Sequence, residues 1–185
     1  MKTPLLSDQS ALLVIDVQQR LLPAMDEDQR QRCLHATTTL VELATAVGAP
    51  VVYTEQYPKG LGPTEPSLLE ALEDAEADRV EKTHFNACAA PDFRQHLIDL
   101  PKQIVVCGME THICVYTTVR ELIDRRHDII VPRDAVISRR QEHKDNGLQM
   151  MADHGALITN YESLVYDALE SSKHPAFKTF AKRIK

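Results

Sequence analysis

No apolar run in the chain approaches the roughly eighteen residues that a membrane-spanning helix needs, so no transmembrane segment is expected. The four cysteines, Cys33, Cys88, Cys107 and Cys114, show no Cys-x-x-Cys spacing. In a chain of 185 residues that argues against a disulfide framework or a zinc site, and for free thiols in a reducing compartment. The stretch MKTPLLSDQSALLVIDVQQR at the start lacks the cleavage site of a secretory leader, and its apolar run breaks at Asp16. A cytoplasmic location is therefore expected. Positive charge is not in excess: the net charge is −6, which speaks against nucleic acid as a partner. No internal repeat or low-complexity tract divides the chain. What remains, 43% hydrophobic and 26% charged residues, describes a single domain over 1–185 with a sizeable core.

Residues 103–124, QIVVCGMETHICVYTTVRELID, organise the rest. Ile104, Val105, Val106 and Cys107 show no polar alternation and read as a strand buried on both faces. Gly108 marks a turn. Ile113, Val115, Val119 and Leu122 then recur at the spacing of one helical face. With Thr111 as N-cap, Cys114 falls in the first turn of that helix, where the dipole and free N–H groups favour the thiolate. Two readings stay open on this stretch alone: a nucleophile, or a buried inert thiol.

Residues 11–17, ALLVIDV, have the same buried-strand character and carry Asp16 at their carboxyl end. An acid between Ile15 and Val17 needs a partner or a task. Periodicity predicts a long helix over Glu27–Val47, stopped by Gly48. A strand over 50–54 leads into 55–66, EQYPKGLGPTEP, a proline- and glycine-rich loop suited to lining a pocket. A short helix is expected over 67–72, followed by solvated acids at 73–78. Residues 78–83 give a strand ending at Lys82. A lysine there is ordinarily a surface residue; this one shares a sheet edge with Asp16 and Cys114. The loop 84–90, a helix over Pro91–Asp99, strands over 127–131 and 156–159, and helices over 141–154 and Tyr161–Leu169 complete the pattern. Residues 173–185 carry five Lys or Arg and no acid, with Phe177 and Phe180 at helical spacing. This basic C-terminal helix packs on the body or on a neighbouring subunit, or else presents a solvated face.

The strand–helix alternation predicts the α/β class, as a three-layer α/β/α Rossmann-like fold with a six-stranded parallel sheet. Ligands of such folds sit outside the carboxyl ends of the strands, where Asp16, Lys82 and Cys114 all fall.

On Leu12-Leu13-Val14-Ile15-Asp16-Val17-Gln18, Glu81-Lys82-Thr83 and Gly108-Met109-Glu110-Thr111-His112-Ile113-Cys114-Val115, the chain resembles the isochorismatase-like cysteine hydrolases. That superfamily includes nicotinamidases and N-carbamoylsarcosine amidases. TEQYPKGLGPT at 54–64 and EKTHFNAC at 81–88 resemble its isochorismatase domain-containing subgroup. The resemblance implies a triad in which Cys114 attacks a carbonyl carbon, Asp16 takes and returns the proton, and Lys82 stabilises the thiolate. It also implies a cis peptide at Met109–Glu110, with the N–H groups of Glu110 and Cys114 facing the oxyanion and Thr111 shaping the turn. A homo-oligomer, dimer or larger, is implied as well. Gln18, Glu55, Gln56, Tyr57, Phe85 and Asn86 stand near the same edge and are candidate contacts for a small-molecule substrate; Tyr57 and Phe85 equally suit loop packing.

Nicotinamidases hold a metal through an Asp-x-His pair after the second strand. Here Thr54-Glu55-Gln56-Tyr57 stands in that place and His84 reads as a polar loop residue, so neither metal nor cofactor is expected. Isochorismatases proper cleave a vinyl ether without a thiol nucleophile. The presence of Cys114 favours hydrolysis of an amide C–N bond through a thioester. The alternatives are ether-bond hydrolysis by Asp16 alone, and a redox-responsive or interaction protein whose Cys114 is oxidised rather than turned over.

Overall fold

The computed structural model describes residues 4–184. In chain order the elements are β1 (Ser10–Ile15), α1 (Glu27–Val47), β2 (Val51–Gln56), α2 (Pro58–Leu61), α3 (Pro66–Asp74), β3 (Asp78–Lys82), α4 (Pro91–Asp99), β4 (Gln103–Met109), α5 (Tyr116–Asp124), β5 (Asp128–Pro132), β6 (Val136–Ile137), α6 (Gln141–Asp153), β7 (Leu157–Thr159), α7 (Tyr161–Leu169) and α8 (Phe177–Arg183). Six strands form one path, β3-β2-β1-β4-β5-β7, and every pairing in it is parallel. The expected six-stranded α/β/α architecture is therefore present. Among the described residues no helix is long and apolar enough to cross a membrane.

Alternation along the central strands separates the two helical layers. Leu12 and Val14 of β1 join Val105 and Cys107 of β4 against Leu40 and Leu43 of α1, Leu68 of α3 and Leu164 of α7. Leu13 and Ile15 join Ile104 and Val106 on the other face, against Phe93 of α4, Val119 and Leu122 of α5, and Met151 of α6. Each such leucine or isoleucine, fully buried, contributes about 1.5–3 kcal/mol. The long helix α1 has the bounds its periodicity predicts. Asp26 caps it by accepting from the N–H of Gln29 at 3.1 Å, and Gly48 ends it in the left-handed region at φ 76°.

Three expectations are corrected. Strand β4 does not turn at Gly108 but runs on to Met109, because β6, a two-residue strand without a sequence signal, pairs with Gly108 and Met109. Strand β2 extends to Gln56, two residues past Thr54, and a single helical turn, α2, fills part of the loop that follows. The C-terminal helix begins only at Phe177, residues 173–176 being turns, and Lys185 lies outside the described residues. This helix packs on its own body: Phe180 is buried, and Arg183 donates to Thr39 Oγ1 at 2.8 Å and pairs with Glu42 at 2.9 Å, both on α1.

Gly108 of β4 lies tight against Ile15 of β1. Its φ is +116°, and a Cβ there would lie 2.0 Å from the carbonyl oxygen of Ile15. Gly108→Ala is therefore expected to destabilise the protein by about 3 kcal/mol or more, read as a lowered urea midpoint at unchanged m-value.

Candidate active site

The site is built where β1, β2 and β3 end side by side. One residue past β1, Asp16 adopts the left-handed conformation, φ 54°, and turns the chain out of the strand while its N–H still bonds the Thr54 carbonyl at 3.0 Å. Parallel register sets Thr54 of β2 beside Ile15, and Lys82 of β3 beside Gln56. Three strand ends thus bring distant residues to one level. Asp16 Oδ1 accepts from Thr54 Oγ1 at 2.6 Å, and Asp16 Oδ2 accepts from Lys82 Nζ at 2.6 Å. Both side chains of this ion pair are 0% exposed. The Lys82 ammonium also donates to Gln56 Oε1 at 2.8 Å and to the His84 carbonyl at 3.2 Å. An ammonium has three hydrogens, so its donors are fully used.

Cys114 comes from the opposite side, after β4. The peptide Met109–Glu110 is cis, and Thr111–Val115 forms a π-helical turn rather than the first turn of α5. Glu110, not Thr111, precedes that turn, and the Thr111 hydroxyl is buried without a protein partner. The expected N-cap is therefore absent, and with it the argument for a resting thiolate. Burial pushes the Cys114 thiol up, the charge of Asp16 adds to this and that of Lys82 opposes it, and the thiol stands at about 12. At neutral pH it is a thiol beside an ion pair.

The turn is clamped from behind. Glu110 Oε2 accepts from the backbone N–H of Arg139 at 3.0 Å and from its Nε at 3.1 Å. His112 Nδ1 lies 3.0 Å from Ser138 Oγ, and its ring meets that of His143 at a tilt of 42° with centroids 4.6 Å apart. Helix α6 touches the turn at Gly147, where an added Cβ would meet the backbone of Thr111 and His112 at 3.0 Å.

Several of the candidate substrate contacts are engaged in hydrogen bonds within the protein. Gln18 donates to the carbonyls of Gln56 and Gly62 and accepts from the Gln56 N–H. Glu55, on the other face of β2 from Thr54, accepts from Thr64 and from Arg79. Asn86 caps a short turn by accepting from the Cys88 N–H at 2.9 Å. Gln56 gives its oxygen to Lys82 and its amide hydrogen to the Thr83 carbonyl. Tyr57 is 55% exposed and lines a cleft of about 360 Å³ with Pro58, Lys59, Lys82, His84 and Pro91. Phe85, 61% exposed, stands on the loop after β3. Thr54 and Arg139 escaped the sequence reading. A threonine in a strand is ordinary, and the only signal for Thr54 was its place at the end of the strand next to that of Asp16. Among the described residues, no group of three or more His, Cys, Asp or Glu side chains is placed to hold a metal ion.

A family model described as the isochorismatase domain matches residues 10–163. The secreted isochorismatase effector Isc1 of Phytophthora sojae is 34% identical, the match covering 98% of this chain and 87% of that protein. The solved structure of the MAR1 ribonuclease from Caenorhabditis elegans superposes with a TM-score of 0.87 at 30% identity, over 98% of this chain and 91% of that one. The YcaC gene product of Escherichia coli, an octameric hydrolase of unknown specificity, shares the fold with a TM-score of 0.83 at 20% identity, over 97% of this chain and 95% of that one.

Proposed function

The chain belongs to the isochorismatase family of hydrolases, and from that premise we propose that it hydrolyses the C–N bond of a small-molecule amide through a thioester on Cys114. The observation that carries the reading is the fully buried Asp16–Lys82 pair, whose charges act on the buried thiol of Cys114. A buried ion pair is a poor stabiliser, because desolvation of each partner costs several kcal/mol. Its presence next to a nucleophile of the right type points to chemistry.

In the proposed reaction, Sγ of Cys114 bonds to the carbonyl carbon while the thiol proton passes to the Asp16 carboxylate. The N–H groups of Glu110 and Cys114 receive the developing oxyanion. Collapse breaks the C–N bond, and the departing amine takes the proton back from Asp16. Water then attacks the thioester as Asp16 accepts its proton, releasing the acid and restoring the thiol. Lys82, its hydrogens already engaged, acts through its charge. The cleft beside Tyr57 is the proposed approach for the substrate.

Ether cleavage by Asp16 alone leaves Cys114 without a task, and the redox reading leaves the ion pair without one. The net charge of −6 supports a small molecule rather than a phosphodiester backbone, so the nematode protein's ribonuclease name is not carried over. By likeness to the bacterial octamer, a homo-oligomer is proposed as well.

Incubation with a panel of small amides and esters, followed by acid quench and peptide mass spectrometry, should trap an acyl adduct on Cys114. Turnover without such an adduct would support the ether route. No turnover of any compound, with assembly altered by reversible oxidation of Cys114, would support the redox reading.

A further inference from the structure

Thr54 has no role in the triad, yet it touches Asp16 twice. Its carbonyl accepts the Asp16 N–H at 3.0 Å, and its hydroxyl donates to Asp16 Oδ1 at 2.6 Å. The second distance is that of a hydroxyl bonded to a charged acceptor. Thr54 is 1% exposed and Asp16 0%, so no solvent competes for either group. We infer that Thr54 is a positioning residue for the proposed reaction, fixing the plane of the Asp16 carboxylate so that it can take and return the Cys114 proton. This rests on the cysteine-hydrolase reading above.

Rotation of a carboxylate about its last torsion is soft and broadly two-fold. Lys82 pins one oxygen, which leaves the plane free to turn about that contact. Thr54 pins the other. With both held, the lone pairs left over are the ones available to the thiol, and proton transfer requires heavy atoms within about 2.6–3.2 Å. The need for an external hold is evident in the backbone. The Asp16 N–H makes the last ladder bond to β2, but at φ 54° the backbone turns there, so the ladder holds the main chain of Asp16 and not its carboxylate. Strand β2 supplies the hold by alternation: Thr54 faces Asp16 and Gln56 faces Lys82, while Glu55 between them takes Arg79 on the opposite side.

The test uses the full chain with p-nitrophenyl acetate as acyl donor, the adduct on Cys114 being identified by mass spectrometry. Thr54→Val keeps the shape and removes the hydroxyl. It is expected to lower steady-state turnover about tenfold, whereas Thr54→Ser stays within about twofold of wild type. In an Asp16→Asn background, Thr54→Val should change the residual rate by less than about twofold, because the effect runs through the carboxylate. Should the valine protein fail to fold, Thr54→Ala carries the same expectations. A hydroxyl-free variant that folds and turns over like wild type overturns the inference, as does a tenfold loss that persists without the carboxylate. Absence of an acyl adduct on wild-type Cys114 overturns the covalent reading itself, and the inference with it.

Discussion

Cys114→Ala is expected to cut turnover by about 10⁴-fold or more while leaving the fold intact. The loss is large because the thiol is the only proposed covalent partner, and the remaining groups offer binding and oxyanion stabilisation alone. The fold survives because the ion pair does not lean on sulfur: Asp16 is held by Thr54 and Lys82, and Lys82 by Gln56 and the His84 carbonyl. Removing one sulfur from this buried position leaves a small cavity, a cost of about 1–2 kcal/mol. Thermal unfolding and a turnover assay on the same preparation separate the two effects. Undiminished turnover in the alanine variant would move the chemistry to Asp16. The wild-type thiol carries its own pH signature. Standing at about 12, it should alkylate with iodoacetamide slowly at neutral pH and about tenfold faster per pH unit on the alkaline side. A plateau at Cys114 below about pH 9 would contradict the buried, protonated resting state.

The frame of this protein was legible because it depends on local patterns. ALLVIDV and IVVC are buried on both faces and read as central strands. The 3.6-residue spacing and Gly48 gave α1 its bounds. The meeting of Asp16 with Lys82 was legible for a related reason: in a parallel sheet, residues at strand ends share an edge wherever they lie in the sequence. What sequence did not disclose is how polar groups at that edge divide their hydrogen bonds. Glu55, Gln18 and Asn86 stand near the edge in sequence, but their internal partners are not written there. Those partners, such as Arg79 for Glu55 and Gly62 for Gln18, are set by tertiary approach. The π-helical turn was hidden likewise, since its neighbours, Ser138 against His112 and Gly147 of α6 against Thr111 and His112, are brought by tertiary approach. That turn changes the chemistry. Read as a regular helix, it gave Cys114 an electrostatic reason to ionise in isolation; as built, the thiol depends on its neighbours to lose its proton.

Asp16→Asn separates those neighbours, and its two readouts should move in opposite directions. Turnover is expected to fall by about 10³–10⁴-fold, because no other group takes the thiol proton, returns it to the amine or activates water. Alkylation of Cys114 at pH 8 is expected to become about tenfold faster. The sign follows from the charges at the thiol: Asp16 pushes its pKa up and Lys82 pushes it down. Asparagine removes the first influence and leaves the second. It also strips Lys82 of its counter-charge in a site with no exposure, a loss of about 3–5 kcal/mol in stability. Ionising the thiol relieves part of that loss, since a thiolate then serves as the counter-ion. The variant should thus be less stable, more reactive toward iodoacetamide and nearly inert toward substrate. Alkylation that stays level or slows in a folded Asp16→Asn protein would show that the carboxylate does not act on this sulfur. Retained turnover would show that it is not the proton carrier.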